Sequence, residues 1–212
     1  PNQNISLPVG TALAVKSYSE KLDFWNIFSR YKKRGVGIVG LIEAMITYRL
    51  TENQSISRAS NWINRPGVLE QFDLTPFEER TLFRVLEIAG DNYEEIIHLL
   101  QIKIFKLYKF PHTNINMDWT SFVLWGTKAE LGGYGYSRAH RPDKKQITVG
   151  ISQLCAPIHI PVGLTVQTGN TNDQTHFKKT FLQVCEYLKT GSRIVFDKGA
   201  QISRLFGTLT AT

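Results

Sequence analysis

The sequence predicts an α/β protein in two parts, a helical region over residues 1–110 and a β-β-β-α-β core over residues 111–212. Three observations carry that expectation. Apolar residues recur at helical spacing through the first half. The character changes after Lys109-Phe110-Pro111, where β-branched runs begin. A single amphipathic helical segment then interrupts the strands and delivers a short apolar run near the end.

In the first half, Val36 to Leu50 reads as one amphipathic helix and Ile56 to Ile63 as a second, with Pro66-Gly67 breaking the pattern. Thr75-Pro76-Phe77-Glu78-Glu79 has the form of a helix start, with Thr75 as cap, Pro76 in the first turn and acids near the positive end of the dipole. Asp91 is placed to cap another helix, whose apolar residues are Ile96, Ile97, Leu100, Ile104 and Leu107. Short helices with interspersed basic residues suit a helix-turn-helix-like DNA reader and suit a plain helical bundle equally well.

In the second half, Ile115 to Trp125 reads as a strand. A glycine-rich, basic connection follows, containing Gly132-Gly133-Tyr134-Gly135-Tyr136 and Arg141-Pro142-Asp143-Lys144-Lys145. Gln146 to Leu154 and Ile158 to Thr168 are the next strands. Gly169-Asn170-Thr171-Asn172-Asp173 is turn chemistry, with Asn170 and Asp173 as turn and cap residues. The helix after it presents Phe177, Phe181, Val184, Cys185 and Leu188 on one face and is expected to end at Gly191. Ile194 to Phe196 is the last strand. A meander of three strands and a crossover helix would let this fourth strand lie beside the first.

Composition narrows the function. Apolar residues make up 42% of 212, enough for a core, and no segment is low in complexity. The net charge is +7, of which residues 111–212 carry +5, so the second half is the more basic and suits a polyanion lying across it. Two cysteines, Cys155 and Cys185, without CxxC spacing, fit a reducing interior rather than a disulfide scaffold. The most apolar stretch, Val36 to Tyr48, is short and holds Glu43, so no membrane span is expected. There is no signal-peptide pattern, and a cytoplasmic protein is the expectation. Because the chain begins with Pro1 it is expected to be a fragment at that end.

The residues most open to chemistry are Asp118 and Asp197, each read at a strand edge and 79 positions apart. If the fourth strand lies beside the first they become neighbours, and two close carboxylates repel unless a proton or divalent cation intervenes. Such a pair is the minimum for a hard-cation site serving phosphate chemistry, because two ions about 3.5–4 Å apart activate the nucleophile, relieve phosphate charge and stabilise the leaving oxygen. Taken singly, each could be a turn or capping acid. Arg138, His140, Arg141, Lys144 and Lys145 form a basic cluster able to clamp phosphates, or a solvated hairpin loop. His140 lacks a partner at zinc-ligand spacing, and the Gly133–Gly135 segment lacks the phosphate-loop pattern. Trp119 and Trp125 read as strand core rather than base-stacking platforms.

Four motifs in order resemble a known family: Asp118-Trp119-Thr120-Ser121-Phe122; Gly133-Tyr134-Gly135-Tyr136 continuing through Ser137-Arg138-Ala139-His140-Arg141-Pro142-Asp143-Lys144-Lys145-Gln146; Gly169-Asn170-Thr171-Asn172-Asp173; and Phe196-Asp197-Lys198-Gly199. Over about residues 110–200 the chain is similar to the DDE transposases of bacterial and archaeal insertion sequences, in particular the insertion-sequence-four-like group. The resemblance implies an RNase H-like core in which two aspartates and a glutamate hold two Mg²⁺ or Mn²⁺ ions. Asp118 matches the first aspartate and Asp197 the second. It further implies double-stranded DNA as partner (transposon ends and target) and a homodimer in synapsis. The family's glutamate lies further on than Thr212, so the expectation is an incomplete core, inactive alone, with an exposed sheet edge and poor solubility.

Three functions are compatible with these residues: a metal-dependent transposase present as a truncated copy, which is preferred; an RNase H-like nuclease using Glu130 or Asp143 as third ligand; and a non-catalytic DNA-binding remnant.

Overall fold

Helices and strands segregate along the chain as their periodicities demand. The computed structural model describes residues 9–32, 34–35, 37–110, 112–126, 128–136, 139–155 and 158–196. They fall into two compact units, Pro1–Leu107 and Tyr108–Thr212. None of the described helices is long and apolar enough to cross a membrane.

The first unit is helical: α1 (Val9–Lys21), α2 (Phe24–Phe28) running into a 3-10 turn at Ser29–Tyr31, α3 (Ile38–Thr51), α4 (Ile56–Ile63), α5 (Pro66–Gln71), α6 (Glu79–Asp91) and α7 (Tyr93–Leu107). Its core is built on Ile27, Leu41, Ala44, Ile63, Val68 and Leu82, all essentially solvent-free. α4 starts where a side chain can serve it, with Ser55 Oγ accepting the Arg58 N–H at 3.3 Å. Asp23, at the α1–α2 corner, is left-handed (φ 60°) and is held by the Lys103 ammonium of α7 at 2.5 Å and by Asn26 at 2.7 Å. The Lys103 hydrogen bond, with that of Asn26, keeps the Asp23 carboxyl below its ordinary value.

Three helix-boundary expectations fail here for local reasons. Pro66-Gly67 does not simply interrupt: Pro66 opens α5, a position where its missing N–H costs nothing. Thr75 does not cap a helix, because Asn64 clamps the backbone of Phe77, accepting its N–H at 3.0 Å and donating to its carbonyl at 3.1 Å. That holds residues 75–78 outside helix, and α6 begins at Glu79. Asp91 is the last residue of α6 rather than the cap of α7; Asn92 forms the junction, donating to the Ile88 carbonyl at 2.8 Å.

The second unit is a four-stranded mixed sheet with one helix on it. Its elements are β1 (Ile115–Val123), β2 (Gln146–Leu154), β3 (Pro161–Thr168), α8 (Asp173–Leu182), a 3-10 turn at Cys185–Tyr187, and β4 (Ile194–Phe196). Strand order is β3-β2-β1-β4. β1–β2 and β2–β3 are antiparallel, with a register shift between Ser152 and Gln153, while β4 runs parallel to β1. The fourth strand thus does lie beside the first.

Alternation along β1 fixes the two faces of the sheet. Ile115, Met117 and Trp119 are buried, as are the α8 residues Phe177 and Phe181 and the following Val184. The Trp119 ring centroid is 5.9 Å from that of Phe177, which is 4.6 Å from that of Phe196. Asn116, Asp118 and Thr120 point the other way and are exposed. α8 is capped by Asn172, whose Oδ1 accepts the Thr175 N–H at 2.8 Å; the expected cap, Asp173, is its first residue. α8 also ends before Gly191, because Gln183 donates to the Leu164 carbonyl of β3 at 3.0 Å and Val184 turns fully into the core. Gly191 instead supplies a left-handed turn (φ 84°) just ahead of β4.

Under α8 lies a polar knot. Trp119 Nε1 donates to Thr180 Oγ1 at 3.1 Å, Thr180 and Thr165 hydroxyls meet at 2.9 Å, and Thr165 Oγ1 meets His176 Nε2 at 2.8 Å. Gly150 makes room for it: a Cβ there would lie 2.6 Å from the Thr165 hydroxyl and 2.8 Å from both the Thr180 hydroxyl and the indole nitrogen.

Candidate functional site

β1 is an internal strand of the sheet, and Asp118 sits in its middle rather than at its edge. All nine of its residues pair with β2, Asp118 opposite Ile151. An aspartate is a poor strand former, since its short side chain competes for backbone N–H groups. Asp118 does so here: Oδ1 accepts the N–H of Trp119 at 2.8 Å. The carboxylate stands in solvent on the face opposite α8, on the same side as Asn116, Thr120 and the exposed Phe122. A turn or capping role is thereby ruled out for it.

The parallel register of β4 on β1 runs Ile115↔Ile194, Asn116↔Val195 and Met117↔Phe196. Asp118 and Asp197 each follow a member of the last pair in the sequence. Asp197 lies outside the described residues, as does Arg138. Among the described residues no group of three or more His, Cys, Asp or Glu side chains converges as a metal site. Asp118 brings hard carboxylate oxygen suited to Mg²⁺, and one carboxylate alone does not hold such an ion.

The remaining basic residues lie in the connection between β1 and β2. His140 is exposed and left-handed (φ 55°). The Arg141 guanidinium grips both oxygens of Asp143, at 2.8 and 2.7 Å, and this hydrogen-bonded pair drives the Asp143 carboxyl down to about 2 and Arg141 upward. Asp143 is thus ion-paired with Arg141, and Glu130 is exposed in the same connection; neither belongs to a group of three or more metal-ligating side chains among the described residues. Lys144 and Lys145 are half-buried.

Trp125 corrects the sequence reading. Trp119 is core, 2% exposed, but β1 stops at Val123 and Trp125 is 74% exposed. The Arg141 guanidinium lies 5.0 Å and the Lys144 ammonium 5.2 Å from its ring centroid. Among the described residues, these two cations lie over the indole ring.

The sequence reading also missed the Trp119–Thr180–Thr165–His176 knot. Its one readable signal was the His176–Thr180 spacing of four on a helix, which puts both on one face. His176 is buried, and that burial pushes its imidazole down to about 4, so it is neutral at ordinary pH.

No protein-family model, no curated protein and no solved structure matches this chain.

Proposed function

We propose that this chain carries the core of a metal-dependent DNA transposase of the DDE type, with an RNase H-like sheet whose first and second aspartates are Asp118 and Asp197. The observation that carries the reading is the strand order β3-β2-β1-β4 with β4 parallel to β1. A register continued by one residue past Met117↔Phe196 would pair the two aspartates, from positions 79 apart. The exposed mid-strand carboxylate supports it further, since strand interiors disfavour aspartate unless the site needs it.

Asp118 and Asp197 would together hold Mg²⁺ or Mn²⁺, whose chemistry would be charge relief at a phosphate oxygen and a lowered pKa for a bound water or hydroxyl. The chain's own part is to hold Asp118 on an internal strand and to present Arg138, His140, Arg141, Lys144 and Lys145 to the phosphates of double-stranded DNA. Synapsis of two DNA ends would bring two copies together, in the cytoplasm where the DNA lies.

Mn²⁺ binding read by electron paramagnetic resonance tests this without requiring turnover. The wild-type chain should bind Mn²⁺, and Asp118→Asn and Asp197→Asn should each weaken binding at least about tenfold, since even groups that only support a ligand cost that much when lost. Equal binding by wild type and both variants would sink the reading.

A further inference from the structure

The β1–β2 connection puts three large aromatic side chains in water: Trp125 is 74%, Tyr134 62% and Tyr136 85% exposed. An indole left so open gains little from folding, because the stabilisation follows the apolar area removed from water. Yet Trp125 is held, with two cations within 5.2 Å of its ring centroid. Arg141 is itself aimed by its paired bonds to Asp143. The hairpin backbone behind them is packed closely: a Cβ on Gly135 would lie 2.0 Å from the Gly169 carbonyl oxygen, and Gln146 Nε2 donates to the carbonyls of Tyr136 and Gly169 at 2.7 and 3.1 Å. The result is a largely exposed indole with two cations over its ring, on a braced support.

We propose that this connection is a platform for unpaired DNA, on which a base stacks against Trp125 while Arg141, Lys144 and Lys145 meet the flanking phosphates. The part of the indole that the two cations leave open offers a π-surface that accepts any base, and the cations over the ring serve the backbone that the base hangs from. In a duplex the base faces are already stacked on each other, so a duplex can use only the cations. A purely structural role for the cation–ring contacts would not require that three-quarters of the indole stay in solvent. The choice of DNA as the polymer rests on the function proposed above; the stacking does not.

The test uses the full chain and three fluorescein-labelled probes followed by anisotropy: oligothymidylate of about twenty nucleotides, an abasic oligomer of equal length, and a mixed-sequence duplex. Wild type should bind oligothymidylate about tenfold or more tighter than the abasic strand. Trp125→Leu should erase that preference, Trp125→Phe should restore most of it, and neither should change duplex affinity. Trp125→Leu binding oligothymidylate as wild type does, or losing oligothymidylate and duplex alike, would overturn the proposal. Trp125-dependent binding of oligothymidylate with no duplex binding would support it while counting against duplex DNA in the function above. Duplex binding with Trp125 silent would do the reverse.

Discussion

At the scale of single residues, burial decides what each polar group can do. His176 has no exposed surface; its Nε2 meets Thr165, and its Nδ1 has no hydrogen-bond partner among the described residues. Protonation would put a charge into that space. With its folded value near 4 against an ordinary 6.5, the unfolded chain binds the extra proton first between those values. The contribution is therefore whole above about pH 6.5 and is lost as pH falls toward 4, at up to roughly 1.4 kcal/mol per unit. Urea melts at pH 7 and pH 5 should show this loss in wild type and a smaller one in His176→Gln, which keeps a polar group for Thr165. Equal losses would show that the imidazole is not the source. Asp118 was conspicuous in the sequence as an aspartate among β-branched and aromatic residues, though it lies within a strand rather than at its edge. The exposure of Trp125 was not legible, because periodicity cannot tell the last strand residue, Val123, from a loop residue two positions later.

At the scale of elements, segments bounded by strong local signals emerged with their limits intact. Ile56–Ile63, Gln146–Leu154 and Ile194–Phe196 are the same in sequence and structure, each flanked by Ser, Gly or basic turn residues. Boundaries that depend on a distant side chain did not. Thr75-Pro76 carries a good helix-start signal, yet Asn64, thirteen positions before Phe77, holds that backbone extended. Nothing in the local pattern announces such a clamp. Asn64→Ala should leave the Phe77 N–H and carbonyl without these partners and cost about 1–3 kcal/mol in chemical denaturation. A change below about 0.5 kcal/mol would mean that water replaces the amide freely.

At the scale of the molecule, strand order was readable, because three antiparallel strands followed by a crossover helix leave few places for a fourth. Which side chains would be exposed was less so: the alternation of β2 predicts Ile147, Val149 and Ile151 facing inward, yet the buried positions are Gln146, Thr148, Gly150, Ser152 and Leu154, and Ile151 is exposed. Charge follows the same division, with most of the net positive charge in residues 111–212. On the function proposed above, binding to a DNA duplex should weaken at least about tenfold when salt rises from about 50 to about 200 mM, measured by filter retention. An affinity indifferent to salt would argue that phosphates are not the main contact. The position of β1 has one more consequence. Nine paired residues tie it to β2 on one side, and three tie it to β4 on the other, ending at Met117. A strand moored on both flanks cannot slide or tilt without breaking its ladders, so the Asp118 backbone works as a fixed datum. On the function proposed above, any adjustment of alignment there falls to the side chain and to what approaches it.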